Sequence, residues 1–287
     1  MNPDATFQNG TLFVVATPVG NLEDITFRAV RILKEVDLIA AEDTRHTARL
    51  LSHYNIKNSV ISCHEHNELQ RLDLLLDKLS QGKNIALVSD AGTPTISDPG
   101  YQLVKKVAQE GIRVVPIPGP SAAIAGLSVS GLPTDSFLFM GFLHRKKGRR
   151  QSALQGVKDE VATLIFYESP RRIIVLLEEL ISILGDRPAM VAREITKIHE
   201  EFLRGTLSQI LEILQARPSV KGECVIFVAW EEPTPVAAPV ADEMDRILLA
   251  ALASSDEPPS RIAKQLSRKL NCPRKEIYQR LITLKGC

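Results

Sequence analysis

The sequence lacks most of the features that would assign a function at sight. Its 287 residues contain four cysteines, Cys63, Cys224, Cys272 and Cys287, none in a C-x-x-C pair. That spacing supports neither a zinc site nor a disulfide framework, and it predicts reduced thiols in a cytoplasmic protein. No apolar run approaches the ~18 residues of a membrane-spanning helix, so no membrane partner is expected. The N-terminal MNPDATFQNG lacks the basic-then-apolar pattern of a signal peptide. G-x-G-x-x-G and G-x-x-x-x-G-K-[ST] are both missing, which disfavours a dinucleotide site and a P-loop. His64-Glu65-His66 does not have the H-E-x-x-H spacing that shares a metal ion, and no metal is expected. Without G-x-S-x-G there is no nucleophile elbow for a hydrolase.

An excess of charge is missing too, since 35 Lys+Arg face 34 Asp+Glu for a net charge of +1. This balance is a cancellation. Residues 145–150 hold Arg145, Lys146, Lys147, Arg149 and Arg150 and no acid. Residues 260–287 hold eight basic side chains and one acidic one, Glu276. The two segments together carry +12 and the remainder −11. A chain polarised in this way can grip a polyanion locally while looking neutral as a whole.

What is present is alternation. Short apolar runs at 12–16, 37–41, 85–89 and 113–117 read as strands. Phe27, Val30, Leu33 and Val36, and then Leu69, Leu72, Leu76 and Leu79, read as helix faces between them. The pattern predicts β-α-β units and a mostly parallel sheet. PIPGPSAA at 116–123 breaks the first run of units. A second set comes after it, with strands at 137–142, 163–167, 189–193 and 223–230. Its helices are expected over 172–184 and from Thr206. The proline-rich 231–240 reads as a linker. Beyond it, Ile262, Leu266 and Leu270, a break at Asn271-Cys272-Pro273, and then Ile277 and Leu281 give two short helices resembling a helix-turn-helix. Arg268, Lys269, Arg274, Lys275 and Arg280 cluster around that turn. The expected organisation is an N-terminal α/β domain (1–117), a second α/β domain (118–232), a linker (233–241) and a basic helical domain (242–287).

Loops after strands carry the polar residues, and ligands of open α/β sheets bind at the carboxyl ends of strands. The first such loop is ATPVGNLEDIT, where Asp24 or Thr26 is expected to cap the next helix. The second, AEDTRH, sets Asp43 and Arg45 among other ionisable groups, with Asp43 or Thr44 as the expected cap. In the third, SDAGTP, Asp90 stands at the strand end and small residues permit close backbone approach. Asp98, before Pro99, reads as a helix cap. In the second half, Glu168, Glu194 and Lys197 stand at strand ends, where they form either a site or a structural ion-pair set.

TPVGNLEDIT (17–26), AEDTRHT (41–47), SDAGTPTISDPG (89–100), PGPSAAIAGLSVSGL (118–132), FYESPRR (166–172) and AREITK (192–197) occur in the order of one family. The chain resembles the tetrapyrrole methylase superfamily, and within it the branch that methylates the ribose 2′-oxygen of a cytidine in small-subunit ribosomal RNA. The resemblance implies two α/β domains with S-adenosylmethionine in the cleft between them, plus a small C-terminal helical domain. By matching motif position, it implies cofactor contacts at Val19, Asp90, Thr93, Ser121, Ala122, Tyr167, Gly222 and Glu223. Thr17-Pro18 depart from the glycine-rich first loop of many members. Methyl transfer to a hydroxyl needs alignment and a proton acceptor. Glu168, Glu194 and Asp43 are candidates for the base, and Lys197 or Arg45 for stabilising the alkoxide. The RNA, free or within an assembling subunit, is expected to lay its phosphates on Arg145, Lys146, Lys147, Arg149 and Arg150. The resemblance also favours a homodimer. Two competing readings are a tetrapyrrole-ring methylase, to which the basic HRKKGRR segment is ill suited, and a non-catalytic RNA-binding module.

Overall fold

In the computed structural model, which describes residues 9–230, 241–253, 257–269 and 272–285, the apolar runs of the first half become an all-parallel sheet. β1 (Thr11–Val15), β2 (Leu38–Ala41), β3 (Val60–Ser62), β4 (Ile85–Val88) and β5 (Arg113–Ile117) lie in the order β3-β2-β4-β1-β5. Every residue of β2 and β4 is buried. Helices cover both faces of such a sheet, so its strands read as unbroken apolar runs rather than alternating ones. The connections are α1 (Phe27–Glu35), α2 (Thr44–His53), α3 (Glu68–Ser80) and α4 (Tyr101–Gln109).

Two helix faces depart from the expected stripes. Phe27 is 97% exposed, and α1 buries Ala29, Ile32 and Leu33, with Val36 just beyond its end. A strict three-residue spacing drifts by about 60° per step around a 3.6-residue helix, so Phe27 and Val36 cannot share one face. In α3, Leu75 and Leu79 are buried with Leu72 and Leu76 beside them, while Leu69 is 70% exposed in the first turn, at the edge of the stripe. The caps also resolve. Thr26 accepts the Ala29 N–H and caps α1, and Asp43 accepts the Arg45 N–H and caps α2. Asp98 caps nothing: α4 starts from Gly100 at φ +113, and the Asp98 side chain is left to the cavity described below.

The second sheet contains β6 (Phe137–Phe142), β7 (Thr163–Glu168), β8 (Pro188–Arg193), β9 (Glu201–Thr206) and β10 (Cys224–Val228), in the order β6-β7-β10-β8-β9. Only β6 and β7 pair in parallel; β7–β10, β10–β8 and β8–β9 are antiparallel. The mostly parallel sheet expected throughout is therefore confined to the first half. The connection of residues 194–200 between β8 and β9 is too short for a parallel crossover. α5 (Ala122–Ser128), α6 (Lys147–Gly156), α7 (Ile173–Leu184) and α8 (Leu207–Gln215) complete this half. Of the faces that the spacing predicts, α7 buries Ile173, Leu176, Leu177, Leu180 and Leu184 and α8 buries Leu207, Ile210 and Leu214, while Ile181 and Leu211 are only half-buried. Both sheets lie in one compact unit, Met1–Trp230.

The second unit, Glu231–Cys287, contains α9 (Ala241–Ala253), α10 (Pro259–Lys269) and α11 (Arg274–Lys285). Met244, Leu248, Ile262, Ala263, Cys272, Ile277 and Leu281 form its core. Arg280 pairs with Asp245 of α9 at 2.6 Å, so one of the basic residues near the turn ties helices together. Lys275 is exposed, and the side chains of Arg268, Lys269 and Arg274 lie outside the described residues, as do the linker 231–240, Leu270 and Asn271. Among the described residues, no helix is long and apolar enough to cross a membrane.

Candidate active site

The loops at the carboxyl ends of the first sheet meet the second sheet around a cavity of about 380 Å³, within the range of small-ligand sites. Thr17 fixes the first loop. Its buried Oγ1 donates to the Ser89 carbonyl at 3.0 Å, and its backbone exchanges two 2.9 Å hydrogen bonds with Gly92. Gly92 sits at φ +76, where a side chain on Cβ would be strained. Thr17-Pro18, the departure from the glycine-rich pattern, therefore serves as an anchor. Gly20 lets this loop lie against residues 195–197, because a methyl group there would stand 2.9 Å from the Ile195 carbonyl oxygen. Opposite, the loop after β4 meets β6, and a methyl group on Gly141 would lie 2.7 Å from Ser97 Oγ.

Both junctions hold residues in the left-handed region without being glycine: Thr95 and Ser97 on one side, Glu194 and Thr196 on the other. Such backbone costs about 1–3 kcal/mol per residue and clusters at functional sites. Thr196 carries a second cost, that of a buried Oγ1 which finds no partner among the described residues.

Five carboxylates line the cavity: Glu42, Asp90, Asp98, Glu168 and Glu223. The ends of β2 and β4 cross-link there. The Asp90 N–H donates to Glu42 Oε2 at 3.2 Å and the Asp43 N–H to Asp90 Oδ1 at 3.1 Å. Burial pushes the pKa of Glu42 up, and the neighbouring charges of Asp90 and Asp43 add to this. Asp98 is raised to about 7, first by burial and then by the charge of Glu42. Glu168 is otherwise occupied: one oxygen accepts the Ser169 N–H and the other pairs with Arg172 at 2.7 Å. Apolar surface comes from Val19, Ile96, Ala122, Phe142, Tyr167 and Val225. Tyr167 Oη accepts the Ala123 N–H at 3.2 Å, which ties its ring to the start of α5.

The structure brings Val19, Asp90, Thr93, Ser121, Ala122, Tyr167, Glu168 and Glu223 to this one cavity. Gly222, Glu194, Lys197, Asp43 and Arg45 are not among its lining residues. Glu194 and Lys197 instead buttress Glu223. Glu194 Oε1 accepts from Lys197 Nζ and from the Glu223 N–H, and Lys197 Nζ also pairs with Glu223. Burial opposes the charge on Glu194, but these hydrogen bonds outweigh it and hold its pKa down. Asp43 and Arg45 form an exposed pair at 2.7 Å.

Gly222 adopts φ +88, and a methyl group there would lie 2.5 Å from Glu194 Oε1. Gly222→Ala should therefore destabilise the fold by about 1–3 kcal/mol in urea titrations.

Of the five basic residues at 145–150, Arg150 is only 7% exposed and forms a two-toothed pair with Glu179 of α7. Arg150 is thus corrected from a phosphate contact to a structural anchor. Arg145, Lys146, Lys147 and Arg149 are exposed. Within the segment, α6 begins at Lys147. Glu42, Ile96, Asp98, Phe142 and Val225 are among the lining residues that sequence reasoning missed. The paired Ser-Asp steps of SDAGTPTISDPG were the available signal for Asp98, obscured by the Asp-Pro cap pattern.

Residues 11–211 match the family described as tetrapyrrole (corrin/porphyrin) methylases. A protein of Halalkalibacterium halodurans called ribosomal RNA small subunit methyltransferase I is 46% identical over 94% of this chain and 93% of its own length. One of the same description from Pseudomonas aeruginosa is 44% identical over 96% and 98%. Among solved structures, uroporphyrin III C-methyl transferase from Thermus thermophilus superposes with TM-score 0.56 at 19% identity, over 76% of this chain and 97% of its own. Diphthine synthase superposes with TM-score 0.59 at 16% identity, over 77% and 90%. These two establish a shared fold and nothing finer.

Proposed function

Because the chain belongs to the tetrapyrrole (corrin/porphyrin) methylase family, whose methyl donor is S-adenosylmethionine, we propose that it methylates small-subunit ribosomal RNA at the 2′-oxygen of a cytidine ribose. The observation that carries this reading is the meeting of the two halves' strand-end loops in one acid-lined cavity, beside an exposed basic segment. The lining suits the donor. Val19, Ala122 and Tyr167 can cover an adenosine, and carboxylates complement a ligand bearing a sulfonium and an ammonium group. Val19, Asp90, Thr93, Ser121, Ala122, Tyr167 and Glu223 are the residues we assign to holding it.

When bound, S-adenosylmethionine supplies a methyl carbon made electrophilic by its sulfonium. The chain adds orientation, exclusion of water and a proton acceptor for the substrate hydroxyl. Asp98 is the acceptor best supported, because its half-buried carboxylate lines the cavity and burial keeps it basic near neutral pH. Glu168 is neutralised by Arg172, and Glu194 by Lys197. Arg145, Lys146, Lys147 and Arg149 are assigned to the phosphates, with the C-terminal helices extending the footprint.

Calorimetry with S-adenosylmethionine, followed by labelled methyl transfer to small-subunit particles and to naked RNA, tests the proposal. A 2′-O-methyl group blocks alkaline cleavage at its own linkage, so the modified RNA should show one missing rung at a cytidine. A labelled RNA with a complete ladder would refute the ribose assignment. Absence of donor binding would instead favour a non-catalytic RNA-binding module.

A further inference from the structure

Phe142 is a large apolar residue that the fold leaves bare. It is 61% exposed, lines the cavity, and ends the edge strand β6. A β-bulge between Phe139 and Gly141 puts it there: Phe139 pairs with Ile165, whereas Gly141 pairs with Phe166 and Phe142 with Tyr167. In a straight strand, residues three apart face opposite sides of the sheet. The bulge shifts the alternation by one, so Phe139 and Phe142 both meet the Tyr167 ring, at 4.9 and 5.5 Å. Tyr167 braces Phe142 at 64°, edge to face, which leaves much of the Phe142 surface open.

The turn after β6 is cationic and held in place. Leu143 is buried, and Arg150, locked to Glu179, donates to the carbonyls of His144 and Arg145. His144 Nδ1 accepts the Lys146 N–H. The turn thus presents Arg145, Lys146, Lys147 and Arg149, and among the described residues no acidic side chain pairs with any of them. A rigid exposed aromatic beside unneutralised cations, at the mouth of a cavity, is the combination that binds unpaired nucleic acid: bases stack on rings while phosphates meet the charges.

We propose that Phe142 is the platform on which an unpaired base of the RNA substrate stacks as its ribose enters the cavity, with the 145–149 turn on the adjoining phosphates. This rests on the RNA reading above. The probe is a fluorescent single-stranded RNA of about ten nucleotides, added to the full chain.

Phe142→Ala should weaken RNA binding about tenfold with unchanged salt dependence, while S-adenosylmethionine affinity by calorimetry stays within twofold. Phe142→Trp should restore RNA binding, and its added fluorescence should be quenched by the RNA. Lys146→Ala/Lys147→Ala, by contrast, should flatten the salt dependence. Unchanged RNA affinity in Phe142→Ala would overturn the proposal. So would a parallel loss of donor binding, which would make Phe142 part of the donor pocket. A shift from dimer to monomer on sedimentation would also overturn it, since a second copy would then cover the ring. If the wild type binds donor but no RNA, the RNA reading fails along with it; RNA binding that ignores Phe142 leaves that reading standing.

Discussion

Asp98→Asn should slow methyl transfer by about 10²- to 10⁴-fold, the usual cost of losing a general base, and it should abolish a pH trend in stability. An ordinary aspartate ionises near 3.8; in the fold, burial and then the charge of Glu42 raise Asp98 to about 7. Between these values the native state holds a proton that the unfolded chain releases. The stability contributed by Asp98 is therefore complete below about pH 4 and is lost as pH rises to about 7. The difference corresponds to at most about 4 kcal/mol, reduced by the water that reaches a half-buried group. Urea unfolding should find the wild type losing stability from this source between pH 4 and 7. The asparagine variant should lack that loss and be the more stable protein at pH 8. Single-turnover rates should rise with pH through about 7 in the wild type and lose that dependence in the variant. The groups facing Asp98 are Glu42 after β2, Ser89 and Asp90 after β4, and Tyr167 of β7. An unchanged rate would remove Asp98 from the chemistry while leaving the stability prediction intact.

Arg150→Ala should cost about 3–5 kcal/mol, because it strands the buried carboxylate of Glu179 without its partner. It also removes the donors that hold the carbonyls of His144 and Arg145. Replacing both members, as Arg150→Met with Glu179→Leu, should recover most of the loss, since a buried pair is often no better than apolar side chains of similar size. Arg149→Ala, on the exposed side of the same helix turn, should change stability by less than about 0.5 kcal/mol and act only on RNA affinity. Two adjacent arginines that look equivalent in sequence would thus separate into an anchor and a contact. Chemical denaturation of the three variants, with anisotropy on the same RNA, distinguishes them.

The same separation explains how much of the site could be read from the chain. Asp90 was legible because it follows an apolar run, where a strand must end; Thr93, Ser121 and Tyr167 were legible only through the long motifs that the chain shares with its family. Glu42 was visible but indistinct among Asp43, Arg45 and His46, since nothing local reveals that it faces Asp90, 48 positions further along the chain. Phe142 read as the last apolar residue of a strand. The bulge that places it on the Tyr167 side depends on pairing with β7, and its one mark in the sequence is Gly141, at φ +59 inside the strand. β3 and β9 escaped notice because a short or half-exposed edge strand has neither the length nor the apolar content of a buried one.

By itself, the sequence determined the alternating α/β architecture of both halves, the helical C-terminal segment, and the family with its donor. These rest on local periodicity and on contiguous motifs, which need no knowledge of distant contacts. Tertiary structure alone decided which carboxylates share a cavity, which of the five basic residues is buried, and which strands run antiparallel. Each of these depends on groups far apart in the chain meeting at low dielectric, where proximity rather than residue type sets charge state, and where one partner turns an apparently free side chain into an anchor. The near-zero net charge is the plainest case. Its four exposed cations at 145–149 and the acid-lined cavity beside them are separated along the chain and adjoin only in the fold.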